Sequence, residues 1–199
     1  VLDTWQEWVG TFTGVVATTV FALPLAVLAV GVLRWRRRKG DRPWRTALAD
    51  VGMVYGTVPP VWMILLPGER LGEAGEVSLV PLRDLLSWDT GQVVGNLLVF
   101  AALGFFAPLR FPVLASVPRV LALGAACSVV VETAQYVLLL DRVSSVDDVL
   151  LNATGAGLAA VLSWPWWRAG YGGDMPGSLG SDHAGADRGG RALPGRSRP

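Results

Sequence analysis

Nine polar or ionisable residues stand within a stretch that is otherwise apolar enough to sit in lipid. Across residues 92–157, leaving aside hydroxyl residues and Arg110 and Arg119 around the connection between two apolar runs, they are Gln92, Asn96, Glu132, Gln135, Asp141, Arg142, Asp147, Asp148 and Asn152. Such groups are costly against hydrocarbon, so each calls for a partner, a water-filled cavity or a function. Their spacing sorts them. Gln92 with Asn96, and Asp148 with Asn152, stand four apart, and Glu132 with Gln135 three apart. Either spacing puts a pair on one helix face. Amides and a carboxylate at one depth could grip a polar group by hydrogen bonds, and Arg142 could hold a phosphate or carboxylate. Glu132 or Asp148 could instead act as a general acid or base. The acidic pair Asp147–Asp148 could hold a divalent cation together with a substrate phosphate.

The rest of the inventory narrows the chemistry. The one cysteine, Cys127, lies in an apolar run, and the one histidine, His183, lies in a Gly-rich tail. An intrachain disulfide, a paired-cysteine metal site and a histidine-based metal centre or triad in the apolar region are thereby excluded. No metal and no cofactor is expected. Of 199 residues, 52% are hydrophobic and 17% charged, against roughly 25% charged in soluble chains. The mean hydropathy is +0.45. Acidic Asp3 and Glu7 stand where a cleavable signal peptide would carry basic residues.

The elements that must position these groups follow in order. Apolar runs at about 9–33, 46–66, 92–109, 120–140 and 149–167 are each near the roughly 20 residues that cross a bilayer. The fold expected is all-α, a polytopic transmembrane bundle of about five spans over residues 1–167. Residues 168–199, rich in Gly, Pro, Ser, Asp and Arg, are expected to form a disordered cytoplasmic tail. Pro24 suggests a kink in the first span, and Pro59-Pro60 should bend or end the second. Residues 67–90 form an acidic loop whose second half lies in the interface, re-enters the membrane or is solvated. The run RWRRRKGDRPWR, alone, would suit nucleic acid; between two spans it reads as a cytoplasmic anchor, so no nucleic-acid partner is expected. Asp50, one turn into the second span, should snorkel towards Arg45 or water. With the N-terminus outside, 14 of the 17 basic residues fall on the cytoplasmic side. Tryptophans near the span ends agree with an aromatic belt.

Helical rise then fixes depth. Asn96 and Asn152 lie about 6 and 5 Å below the outer ends of their spans, Gln135 about 7 Å and Glu132 about 12 Å. Three spans thus offer polar faces at one level, and Arg142, Asp147 and Asp148 cap the opening. A shared polar pocket facing outward satisfies them together. Two plainer accounts stand beside it. Asn, Gln and Glu can simply bind helices to one another by hydrogen bonds of roughly 1 kcal/mol. Asp147 and Asp148 can serve as N-terminal capping and dipole partners. Gly155 and Gly157, with Ala153 and Ala156, point to close helix packing. Glu132 differs, because an ionised carboxylate about two turns deep needs a counter-charge or a proton; Arg142 is its nearest candidate partner in sequence.

GNLLVFAALGFF, VVETAQ and DRVSSVDDVLLNATGAG, in this order and spacing, resemble the VanZ-like family of bacterial membrane proteins. The family's Asn-Leu-Leu-x-Phe helix falls on Asn96 to Phe100, and its Leu-Gly-Phe on Leu103-Gly104-Phe105. Its Glu-x-x-Gln pair falls on Glu132 and Gln135, its Arg on Arg142, its acidic pair on Asp147-Asp148, and its Asn-x-x-Gly on Asn152 and Gly155. VSLVPLRDL at 77–85 is similar to the family's Asn-Leu-Ile-Pro-Phe segment, with Ser78 for Asn and Leu82 for Phe; Ala102 stands where a Pro often precedes the Leu-Gly-Phe. The likeness spans roughly 77–160. It implies a cell-envelope protein of bacteria, since the family is named for an accessory of glycopeptide resistance associated with teicoplanin.

The leading expectation is a non-enzymatic membrane protein whose outer polar pocket binds the headgroup of a lipid or lipid-linked envelope precursor. In it Asn96, Gln135 and Asn152 would supply hydrogen bonds, Arg142 would hold an anionic group and Glu132 would orient it. The alternatives are a membrane-embedded enzyme acting on a lipid through Glu132 or Asp148, and a structural subunit with a membrane-protein partner.

Overall fold

The computed structural model describes residues 11–67, 77–78, 80–82, 90–140 and 144–171. Helix α1 spans Phe12–Arg36, opened by Thr11, whose hydroxyl accepts from the Gly14 N–H at 3.0 Å. Its last turn holds Arg34 and Arg36, cations placed where the helix dipole favours them. Helix α2 spans Pro43–Ile64, with proline at its start, where the missing N–H costs nothing. The next span is two helices, α3 (Thr90–Val99) and α4 (Ala101–Arg110), parted at Phe100, whose φ of −111° and ψ of 14° leave the helical region. A short 3-10 turn, Pro112–Leu114, leads to α5 (Val117–Val137), and α6 covers Val146–Tyr171.

Among the described residues there are five spans, Phe12–Arg36, Pro43–Ile64, Thr90–Arg110, Val117–Val137 and Val146–Ala169, each long and apolar enough to cross a membrane. The bundle is all-α among the described residues apart from two residues of β1 (Val77–Ser78), which pair in parallel with β2 (Ser144–Ser145). Expected and observed spans agree to within a few residues, and the differences have local causes. Pro24, Pro59 and Pro60 lie inside continuous helices rather than ending them. In α2 the two prolines sit about a turn before the C-terminus, and each forgoes only its own N–H bond to the carbonyl four residues back. Helix α6 starts before the acidic pair, so Asp147 and Asp148 occupy its first turn, the favourable end of its dipole. Trp35, Trp62, Trp166 and Trp167 fall within the last two turns of their helices, and Trp44 falls in the first turn of α2. The expected tail lies outside the described residues beyond Tyr171.

Helix α6 is the centre of the bundle, packed against α3, α4 and α5, while α2 packs on α4 and α1 on α2. In its most apolar window 44% of α6 is buried, against 6% for α1. Lipid tails are as apolar as leucine, so close packing rather than water exclusion must hold such helices together. Two glycines make that possible. A Cβ on Gly155 would overlap the Leu97 carbonyl, and one on Gly104 would overlap the Ala156 carbonyl. The third and fifth spans therefore meet backbone to backbone. Val99, Phe100, Val120, Val131, Ala156 and Ala160 close the core around them.

Candidate functional site

The chain has two polar ends. One gathers Arg34–Lys39, Arg42, Arg45, Arg110, Arg119 and Arg168. At the other, the C-terminus of α5 meets the N-termini of α3 and α6, and the residues singled out by spacing lie there.

Asn96, about four residues from the broken middle of its span, donates from Nδ2 to Oδ1 of Asp148 in the first turn of α6. One turn along α6, Asn152 is 1% exposed and donates to the Ser128 hydroxyl on α5 at 2.8 Å. Its amide oxygen is sealed from solvent with no hydrogen-bond partner among the described residues. Glu132 lies one turn from Ser128 on the same helix, half-buried, with one carboxylate oxygen sealed from solvent. Gln135 is 7% exposed and donates to the Ile64 carbonyl at 2.7 Å, taking up an acceptor freed at the end of α2. Gln92 is exposed.

Asp147 turns the other way. Only 1% exposed, it accepts from the Leu82 N–H at 2.5 Å, and its own N–H donates to the Ser145 hydroxyl at 3.1 Å. Leu82 has φ 65°, the left-handed region, directly after Pro81. Together with the β1–β2 pairing, this bond fastens the loop between the second and third spans onto the start of α6. Arg142, expected to cap the opening, lies outside the described residues, as does Asp141.

The structure thus brings Asn96 to Asp148 and sets Asn152 beside the Ser128–Glu132 face. Gln135 is tied to α2, and Asp147 to the loop. Ser128 was missed by the sequence reading, although it stands four residues before Glu132 and shares its stripe. The backbone N–H of Leu82 leaves no trace in a sequence at all.

At the basic end one expectation is corrected. Asp50 pairs not with Arg45 but with both Arg37 and Arg110, the latter at 2.6 Å through Nε, and its side chain stays 23% exposed. Arg45 instead donates to the Trp166 carbonyl at 2.7 Å, near the end of α6. Arg45 is in the same helical turn as the N-terminus of α2, five residues from Asp50 and off its face, whereas Arg37 and Arg110 reach it from neighbouring elements.

No curated protein and no solved structure matches this chain. The family model described as VanZ/LLP1 matches residues 60–168, more than half of the chain. That segment holds the end of α2, both polar helices of the third span, and all of α5, together with α6 as far as Arg168. The chain belongs to the VanZ/LLP1 family, and its five spans make it a membrane protein of that family.

Proposed function

We propose that the protein sits in the bacterial cytoplasmic membrane with its basic end inside, and that its opposite end binds the headgroup of a lipid or lipid-linked envelope precursor. The observation that carries this reading is the Asn152 amide oxygen, buried and lacking a donor beside the Ser128–Glu132 face. A buried acceptor without a donor costs about 1–3 kcal/mol. A headgroup hydroxyl or ammonium would supply the donor. Glu132 would orient that group, Asn96 would hold Asp148 at the rim, and Arg142 would bind the phosphate. The orientation is supported by charge: most arginines lie at one end, as on the cytoplasmic side of membrane proteins. Holding a precursor headgroup would alter its exposure to glycopeptides, a use that accords with the family.

A second reading has its own support. Asn96–Asp148, Asn152–Ser128 and Gln135–Ile64 each join two spans, as in a purely structural subunit. The experiment that separates the two compares co-purifying lipids by mass spectrometry from native-lipid particles. Wild type would be set against a Glu132→Gln, Arg142→Ala double variant of equal thermal stability. Headgroup binding predicts a lipid enriched with wild type and lost with the variant. Identical lipid profiles would sink it and leave the structural reading.

A further inference from the structure

The basic end carries a feature that the opposite end's proposed binding does not use. Where α1 gives way to α2, Trp35, Arg36, Arg37, Arg38, Lys39 and Pro43 wall an open groove of about 680 Å³, with Asp41 and Thr46 also on its lining. That volume is within the roughly 300–1,000 Å³ of ligand sites. The cations are not equivalent. Arg37 is held by Asp50, and Arg38 lies over the Trp35 ring, 5.6 Å from its centre. Arg36 and Lys39 form no ion pair or side-chain hydrogen bond among the described residues. The groove therefore keeps two uncommitted positive charges against one acid, Asp41. Across it, α2 begins without a side-chain cap and without an acidic residue in its first turn, so the positive end of its dipole is not neutralised there and would favour an anion.

We propose that this groove binds the phosphate of an anionic phospholipid in the leaflet on that side. The surface that runs into it favours a lipid over a free anion. Leu28, Val32 and Trp35 form one stripe of α1 at helical spacing, and all three are exposed. Gly31 lies on the same stripe with open space beside it. Acyl chains can lie along this stripe while the headgroup reaches Arg36 and Lys39, and Trp35 sits at the level where tryptophans meet headgroups. Arg37 is left to fix the turn through Asp50 rather than to bind.

The test uses the full chain in detergent, with native mass spectrometry to measure binding of phosphatidylglycerol and of phosphatidylcholine. Two double variants remove equal charge: Arg36→Gln with Lys39→Gln in the groove, and Arg34→Gln with Arg42→Gln beside it. The groove variant should weaken phosphatidylglycerol binding at least about tenfold, because Arg36 and Lys39 line the groove, and the flanking variant by less than about threefold, because Arg34 and Arg42 do not line it and act on the lipid only through the screened surface field. Should the groove double variant fail to fold, Lys39→Gln alone should still weaken binding about threefold or more. Equal losses in both double variants would overturn the proposal, as generic charge would then explain the binding. Phosphatidylcholine bound as tightly as phosphatidylglycerol would also overturn it. So would displacement of the lipid by excess inorganic phosphate, which would make this a free-anion site.

Discussion

Gly155 on α6 lies against Leu97 on α3 so closely that one added carbon would overlap the Leu97 carbonyl oxygen. The contact is reciprocated one step along, where Gly104 on α4 faces the Ala156 carbonyl. Backbone contacts seven residues apart on the third span, made to adjacent residues of α6, leave little room for sliding, and they set the level at which Asn96 and Asp148 meet.

Gly155→Ala should therefore destabilise the bundle by about 1–3 kcal/mol or more, the range for overpacking, because the obstacle is backbone and cannot rotate away. Gly104→Ala should behave alike. Gly31→Ala and Gly95→Ala, with nothing within 4 Å of the added carbon, should be neutral or slightly stabilising. Thermal unfolding in detergent ranks the four; a Gly155→Ala melt matching wild type would show that the spans can part without cost.

Asp50 joins two arginines from different elements, with 23% of its side chain exposed. Such a half-buried pair lies between the small worth of surface ion pairs and the larger cost of breaking buried ones. Asp50→Asn should lose about 1–2 kcal/mol of stability. In a double-mutant cycle with Arg110→Gln the two changes should be less than additive. Strict additivity would mean that the ion pair contributes nothing.

The loop fastened to α6 can be read by cross-linking. Ser78 and Ser145 are partners in the parallel pairing. Adjacent strands lie about 4.8 Å apart, within the Cα separation that a disulfide spans. In a Cys127→Ala background, Ser78→Cys with Ser145→Cys should oxidise readily. Adding Asp147→Ala, which removes the acceptor for the Leu82 N–H, should slow the reaction severalfold. An unchanged rate would mean that the strand pairing alone holds the loop.

Orientation is tested by labelling in intact cells. With Cys127 replaced by Ala, Leu138→Cys at the exposed end of α5 should react with an impermeant maleimide. Gly40→Cys in the basic turn should react only after permeabilisation. The opposite pattern would place the polar cluster in the cytoplasm and remove the outer-leaflet ligand.

The five spans were legible because length and hydropathy suffice for them, and the acidic pair, Glu132 and Asn152 stood out because polar groups in apolar runs do. Partners were not legible. Nothing in the local sequence marks Ser128 as the partner of Asn152, since helix rotation and stagger decide it. Asp50 illustrates the same limit: its nearest basic residue along the helix points elsewhere, and the two that bind it are 13 and 60 residues away. Gly104 was visible only as part of a resemblance. Its role against Ala156 depends on the distance between two backbones, which composition does not encode.

The position of α6 has a consequence for synthesis. It is the latest of the five spans to leave the ribosome, yet α3, α4 and α5 all pack on it. Until it arrives, Asn96 has no Asp148, Ser128 has no Asn152, and the glycine of α4 faces lipid. Before that, α1, α2 and α4 can already pack on one another, while α3 and α5 wait in the bilayer for the final segment that joins them to the rest. Damage to that segment would thus leave every preceding helix threaded through the membrane, with α3 and α5 without their main partner.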